Sequence, residues 1–291
     1  MLSKLFKFLV HLTMGIISLA CLLPFIMVVT GSLTNEQDIG KYGYTLLPKH
    51  IDFIAYRVLF LDAGRILNAY KISIIVTVAG TLLSLIINAM MAYAISRKDL
   101  KYRRFLNIFT LITILFNGGM VPWYIVCVNY MHLKDKLIAL IIPYLANAWY
   151  IFLLRNYVQA IPDEMHESAK IDGAGEYTIF FKIIFRLMTP ALATVGLFTA
   201  LGYWNDWWLG LMLIDNQKLQ PLQLLLRTVV SNITFIKTSP NASAISQLFS
   251  AIPTEGIKMA ICVITIGPII FLYPFVQRYF VKGIMVGAVK G

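Results

Sequence analysis

Apolar stretches about 20 residues long alternate along this chain with short polar segments. Six such stretches occur, at roughly 8–30, 71–95, 105–126, 137–154, 190–214 and 258–280. About 20 apolar residues is the length of an α-helix that crosses the hydrocarbon core of a bilayer. The pattern therefore predicts an all-α integral membrane protein with six transmembrane helices, residues 1–291 forming one transmembrane domain. The third, fourth and fifth stretches are interrupted by Gly, Pro or polar residues, which packing against neighbouring helices tolerates. No stretch reads as a lipid-facing rod of leucine, which suits a bundle with an interior path.

Composition agrees with the pattern. Hydrophobic residues make up 59% of the chain and charged residues 13%, with a mean hydropathy of +0.75. A soluble domain of this length carries roughly twice that charged fraction. The net charge of +11 finds no soluble basic face to sit on, so nucleic acid is not an expected partner. In a membrane protein, excess Lys and Arg marks loops beside anionic headgroups. Cys21, Cys127 and Cys262 stand singly in apolar runs and His11, His50, His132 and His166 are scattered, so neither a metal site nor a disulfide is expected. Lys4 and Lys7 before the apolar run Phe8–Thr30 mimic a signal peptide, but about 23 residues exceed its apolar region. Ser18 also stands where a lipoprotein signal ahead of Cys21 would take an aliphatic residue. A retained first helix is expected.

The short connections orient the bundle. Segment 96–104 holds five basic residues in nine, whereas 127–136 holds Lys134 and Lys136 beside Asp135. Positive-inside bias places 96–104 in the cytoplasm. With six spans both termini are then cytoplasmic, in keeping with Lys4 and Lys7 at one end and Arg278, Lys282 and Lys290 at the other. Segments 31–70, 127–136 and 215–257 fall outside, and the two long ones offer surface to an extracytoplasmic partner.

Segment 155–189, cytoplasmic on this topology, is unlike the other connections. It carries Asp163, Glu164, Glu167, Asp172 and Glu176, five of the fourteen acids, with Arg155, Lys170, Lys182 and Arg186. Ile161-Pro162-Asp163-Glu164 reads as a helix start, with acids near the N-terminal dipole. Met165–Ile171 forms a short amphipathic helix, Gly173 and Gly175 break it, and Tyr177–Leu187 resumes with Phe180, Phe181, Ile184 and Leu187 on one face. Two readings stand on pattern alone: a knob that fits a cleft in a soluble partner, or a helix pair lying on headgroups.

Glu167-Ser168-Ala169-Lys170-Ile171-Asp172-Gly173-Ala174 resembles the EAA motif of binding-protein-dependent ABC permeases, Glu-Ala-Ala, three residues, then Gly. Ile183 and Pro190 keep that family's spacing. Ser168 replaces the second alanine, and Arg186 stands where the family usually has a proline. The resemblance covers essentially the whole chain. It is nearest to carbohydrate-uptake permeases related to the second maltose permease subunit, in the Gram-positive subgroup named after lipoprotein-type sugar permeases. Asn117-Gly118-Gly119, Tyr203-Trp204-Asn205-Asp206-Trp207 and the ending Val281–Gly291 all look like that subgroup.

The resemblance implies a type I ABC importer permease fold with a cytoplasmic coupling helix between the fourth and fifth spans, in a bacterial cell membrane. It implies that Glu167 anchors docking on an ATP-binding subunit, Gly173 makes the tight turn, and Ser168, Ala169, Asp172 and Ala174 pack around them. The implied partners are a second permease subunit as heterodimer, two ATP-binding subunits, an extracytoplasmic solute-binding lipoprotein, membrane lipid and an oligosaccharide. ATP and magnesium would belong to the ATP-binding subunits, with no cofactor in this chain.

Polar residues inside spans usually face a bundle interior or water. Tyr203 and Asp206, three residues apart, share a helix face with Gly210 a turn on, and Asn205 and Trp208 form a stripe beside them. Aromatic rings with an amide and a carboxylate suit a sugar path. Equally, Trp and Tyr collect at membrane interfaces, and Asp206 can pair with a partner helix. Asn88 and Asn117 are further path candidates, or interhelical hydrogen-bonding residues. No phosphate-binding loop, nucleophile elbow or zinc motif occurs, so no catalytic residue is expected and ATP hydrolysis falls to partners. A self-sufficient secondary transporter is the alternative, and it would carry internal repeats and broken-helix ion sites.

Overall fold

A helix that crosses lipid satisfies its backbone internally, whereas one that breaks must find partners for the freed groups. Both kinds occur here. The computed structural model describes residues 2–238 and 253–267. Their regular elements are all helices, with one isolated antiparallel bridge between Thr34 and Ile51. The sixth stretch beyond residue 267, the basic residues Arg278, Lys282 and Lys290, and the ending Val281–Gly291 lie outside the described residues.

Among the described residues two helices are long and apolar enough to cross a membrane unbroken: Lys4–Ser32, and Ile54–Ser96, which begins well before residue 71. Three pairs qualify only as bent spans. Arg103–Leu115 and Met120–Tyr130 are bent by 117°, Leu137–Tyr144 and Ala148–Gln159 by 52°, and Glu176–Leu187 and Thr189–Asn205 by 79°. The first helix departs from the expectation that no stretch is a lipid-facing rod. None of its apolar window is buried, and residues from Leu5 to Phe25 are exposed. Lipid tails are as apolar as leucine, so such a helix needs no protein neighbour along its length.

One compact unit contains the described residues up to Ile66 and from Leu225 onward. Here Asn35 caps helix Glu36–Tyr42 by accepting the Gln37 amide at 2.9 Å. The Glu36 carboxylate accepts the Glu255 and Gly256 amides at 3.1 and 3.2 Å, where helix 254–267 starts and its dipole favours negative charge.

The other unit spans Leu67–Leu224 and has two apolar cores. The first joins Ala89, Tyr93 and Ile95 to Leu154 and Val158, to Ile179, Phe180 and Ile184, and to Met188–Val195. The second joins Ile72 and Val76 to Leu140, Ile141, Tyr203, Leu209 and Leu213. In the second core the Tyr203 ring lies on the backbone of Gly80, where a Cβ would sit 2.6 Å from the ring. The Tyr203 hydroxyl donates to the Ile141 carbonyl at 2.9 Å and fixes the ring there.

The segment after Gly175 buries Phe180 and Ile184 of the expected face but not Phe181 and Leu187. Ile179, Phe180 and Ile184 are buried while Phe181 and Leu187 stay exposed. Residues Ile179–Ile184 are wound as a π-helix, whose wider turn brings i and i+5 to the same side.

Gly80 gives the sharpest test of this packing. Alanine improves helix propensity by about 1 kcal/mol, but overpacking a fixed ring costs about 1–3 kcal/mol. Gly80→Ala should therefore lower the thermal unfolding midpoint in detergent. Gly15→Ala, where a Cβ meets nothing within 4 Å, should leave it unchanged or raise it.

Candidate functional site

Helix Asp163–Ile171 starts after Pro162 and carries Asp163 and Glu164 in its first turn and Lys170 in its last, each the charge its dipole favours. Its end follows from Gly173. The Gly173 amide donates to Lys170 O at 3.1 Å and the Ala174 amide to Ala169 O at 3.0 Å. This paired closure puts the residue after the C-cap in the left-handed region, and Gly173 has φ +80°. Open space surrounds a Cβ there, so backbone conformation rather than crowding calls for glycine.

The inner face of this helix is bonded to the spans. His166 and Lys170, one turn apart, both reach Glu176. His166 Nε2 lies 3.2 Å from the Glu176 carboxylate and Lys170 Nζ also 3.2 Å. The Tyr93 hydroxyl, from the end of helix Ala63–Ser96, donates to the same carboxylate at 2.6 Å. Burial alone would raise the Glu176 pKa, but the hydrogen bonds from Tyr93, His166 and Lys170 outweigh it and hold the carboxyl down at about 2. Segment 96–104 reaches across too. Lys98 Nζ donates to Asp163 at 3.0 Å, and Lys170 lies 3.6 Å from Asp99. Below these pairs Ala169 joins the first apolar core, together with Ala174.

The outer face is bare. Glu167, Ser168, Asp172 and Gly173 are exposed, beside Ile171 at 86% and Tyr177 at 76%. A polar cavity of about 690 Å³ lies between segments 96–99 and 158–167, with Glu167 on its wall. Of the six motif residues, four thus face outward while Ala169 and Ala174 fasten the helix. Tyr93, His166 and Glu176 were not singled out by sequence. The His166/Lys170 spacing on one helix face was the available signal, since it implies a shared anion nearby.

The path candidates separate. Helix Thr189–Asn205 ends before Asp206, which is extended at φ −74°, ψ 123°, and a new helix runs Trp208–Leu213. Tyr203 and Asp206 consequently do not share one continuous helix face, and Asn205 and Trp208 form no stripe. A short polar side chain competes with the helix for backbone donors, and the Asp206 carboxylate accepts the Leu209 amide at 3.1 Å. It also accepts the Tyr144 hydroxyl at 3.2 Å. Tyr144 and Tyr203, ring centroids 6.1 Å apart, border a cavity of about 250 Å³ with Pro143, Asn147, Phe198 and Gly202. Trp208 is instead packed on Trp123 at 4.5 Å, and Asn205 is exposed and accepts from Gln223 at 3.3 Å.

Asn88 is fully buried and bridges helices. Its Nδ2 donates to Leu145 O and its Oδ1 accepts the Asn147 amide, both at 2.9 Å, which satisfies the backbone at the break in the fourth span. Asn117 lies in the third-span break, where its Oδ1 accepts the Gly119 amide at 2.8 Å, and it is absent from the cavity.

A family model described as binding-protein-dependent transport system inner membrane component matches residues 1–286. The chain belongs to this family. It is 37% identical to the polygalacturonan/rhamnogalacturonan transport system permease protein YtcP of Bacillus subtilis (strain 168), over 100% of both chains. It is 28% identical to the arabinooligosaccharides transport system permease protein AraQ of Halalkalibacterium halodurans, covering 99% of this chain and 98% of the relative. A solved bacterial ABC transporter involved in import of the acidic polysaccharide alginate contains a chain 31% identical with a TM-score of 0.79, covering 95% of this chain and 97% of that one. The fold is that of a type I ABC importer permease, and the chain is a membrane permease subunit rather than an enzyme.

Glu176 supplies a prediction with a definite sign. Because its folded pKa is depressed, its contribution is complete above about pH 4.5 and is lost as pH falls toward about 2. The carboxylate is about half exposed, so its worth is on the order of 1 kcal/mol. Glu176→Gln should speed hydrogen exchange of amides 163–178 at neutral pH and flatten the acid dependence of that protection.

Proposed function

We propose that this permease forms half of the translocation path for an oligosaccharide and is driven by ATP-binding subunits that dock on helix Asp163–Ile171. The carrying observation is the two-sidedness of that helix. Its inner face is bonded to Tyr93, Glu176 and segment 96–104, while Glu167, Asp172 and Ile171 stand free outside. A part so fastened moves with its spans and offers a partner a fixed charged and apolar surface. Six spans with both termini in the cytoplasm complete the arrangement, supported by the basic segment 96–104. A second permease subunit supplies the other half of the path, and a solute-binding lipoprotein delivers the sugar. ATP and magnesium act in the docked subunits, whose closure moves the knob and turns the path outward.

The oligosaccharide assignment is supported by the named relatives and by the cavity that Tyr144 and Tyr203 border, with Asp206 hydrogen-bonded behind Tyr144. An ionised carboxylate has room for about four hydrogen bonds, and the Leu209 and Trp208 amides and the Tyr144 hydroxyl take three of those at Asp206. The site that is left suits a sugar hydroxyl, and the Tyr144 and Tyr203 rings suit sugar faces. Asn88, Asn205, Trp208 and Asn117 are left to shaping the breaks and walls rather than touching sugar.

Two substitutions test the two halves of this reading. Glu167→Lys, on an exposed position, should abolish uptake while the protein stays in the membrane at its normal level; normal uptake would remove the docking role. Asp206→Asn preserves volume and should raise the transport KM by several-fold, as expected for about 1 kcal/mol lost from a charged hydrogen bond. Unaltered kinetics in that variant would take Asp206 out of the path.

A further inference from the structure

A further cavity, of about 490 Å³ and mainly apolar in its lining, opens beside helix Arg103–Leu115, away from the knob's ion pairs. Its upper wall carries Arg103, Arg104 and Arg155, and among the described residues no carboxylate lines it. Its lower wall is apolar, made by Ile108, Leu111 and Phe152. Arg104, Ile108 and Leu111 fall at i, i+4 and i+7, one stripe descending about 10 Å along the helix. Ile108 and Leu111 are each nearly half exposed. The helix also begins here, after Tyr102 and with no acid in its first turn, so its free amides add to the positive field.

Three cations held together without an anion are costly, and two further groups lack partners. Arg155 Nε and Asn107 Oδ1 are both buried with no hydrogen-bond partner among the described residues, and both residues line the cavity. An occupant that satisfies them brings acceptor oxygens for the guanidiniums and a hydroxyl donor for Asn107. A phosphodiester with a hydroxylated headgroup carries both. The apolar stripe beneath it selects among sources of phosphate, because a free anion leaves Ile108 and Leu111 uncovered whereas an acyl chain runs along them.

We propose that this site binds one anionic phospholipid, with its phosphate at Arg103, Arg104 and Arg155 and an acyl chain on Ile108 and Leu111. On the topology proposed above the lipid belongs to the cytoplasmic leaflet. Basic pockets between helices on that side suit such headgroups. The site goes beyond the transport reading and depends on it only for the leaflet.

Native mass spectrometry of the detergent-purified chain, with whatever subunits co-purify, tests the proposal. The sample is exchanged into equal amounts of phosphatidylglycerol and phosphatidylcholine. Wild type should retain phosphatidylglycerol in preference, and R104Q/R155Q should lower that retention about thirtyfold, as expected for two lost guanidiniums at about 1 kcal/mol each near the surface. K101Q, a cation of the same segment outside the cavity, should match wild type. Equal retention of the two lipids by wild type overturns the proposal, and needs no variant to fold. Retention unchanged in R104Q/R155Q, or glycerol phosphate displacing the lipid at equal concentration, overturns it as well. Lipid retention is read by mass independently of uptake, while a co-purifying ATPase subunit appears as a separate mass, so this proposal and the transport reading fail separately.

Discussion

The Glu176 carboxylate receives hydrogen bonds from three directions, and the cytoplasmic knob of the proposed topology depends on it. Tyr93 arrives from the second span, while His166 and Lys170 arrive from the short helix Asp163–Ile171. Each bond alone is modest, because the carboxylate is half exposed and water competes. Together they act above an apolar base in which Ala169, Ile179 and Phe180 pack on Leu154 and Val195. The apolar base supplies most of the cohesion, and the charged contacts fix the orientation in which Glu167 and Ile171 are presented. Lys98 to Asp163 adds a tether from another connection. The short helix is in this way part of the span bundle rather than a loop laid over it.

Backbone hydrogen bonding sets a second constraint. A helix broken within the apolar spans frees amides and carbonyls that lipid cannot satisfy. Three of the breaks carry a side-chain remedy: Asn117 for the Gly119 amide, Asn88 for Leu145 and Asn147, Asp206 for Leu209. The polar residues of the spans are therefore spent mainly on the fold. Of the candidates, Tyr203 stands on a cavity wall, beside Tyr144, while Asp206 reaches that wall only through its hydrogen bond from Tyr144.

Much of this was legible in the sequence, and the gaps have physical causes. Apolar length marked the spans, and Gly173, with its positive φ, marked the end of the knob helix. The Asp206 break was hidden because Asn205-Asp206-Trp207 contains neither Gly nor Pro, and the residue ends the helix by capturing a backbone amide. The face buried after Gly175 was read correctly at Phe180 and Ile184 and wrongly at Phe181 and Leu187, because a π turn at Ile179–Ile184 changes the period. Tyr93 and Glu176 are 83 positions apart, and no local pattern announces a pair at that separation. The first helix was misjudged because an interior path for the bundle does not require every span to pack within this chain.

The central claim is that the knob and the spans behave as one body. Spin labels at Asn156, exposed on helix Ala148–Gln159, and Tyr177, exposed on the knob, measure it through their dipolar distance in the assembled importer. The account predicts one narrow distribution, the same with and without ATP. A distribution that shifts or splits when nucleotide is added would contradict it.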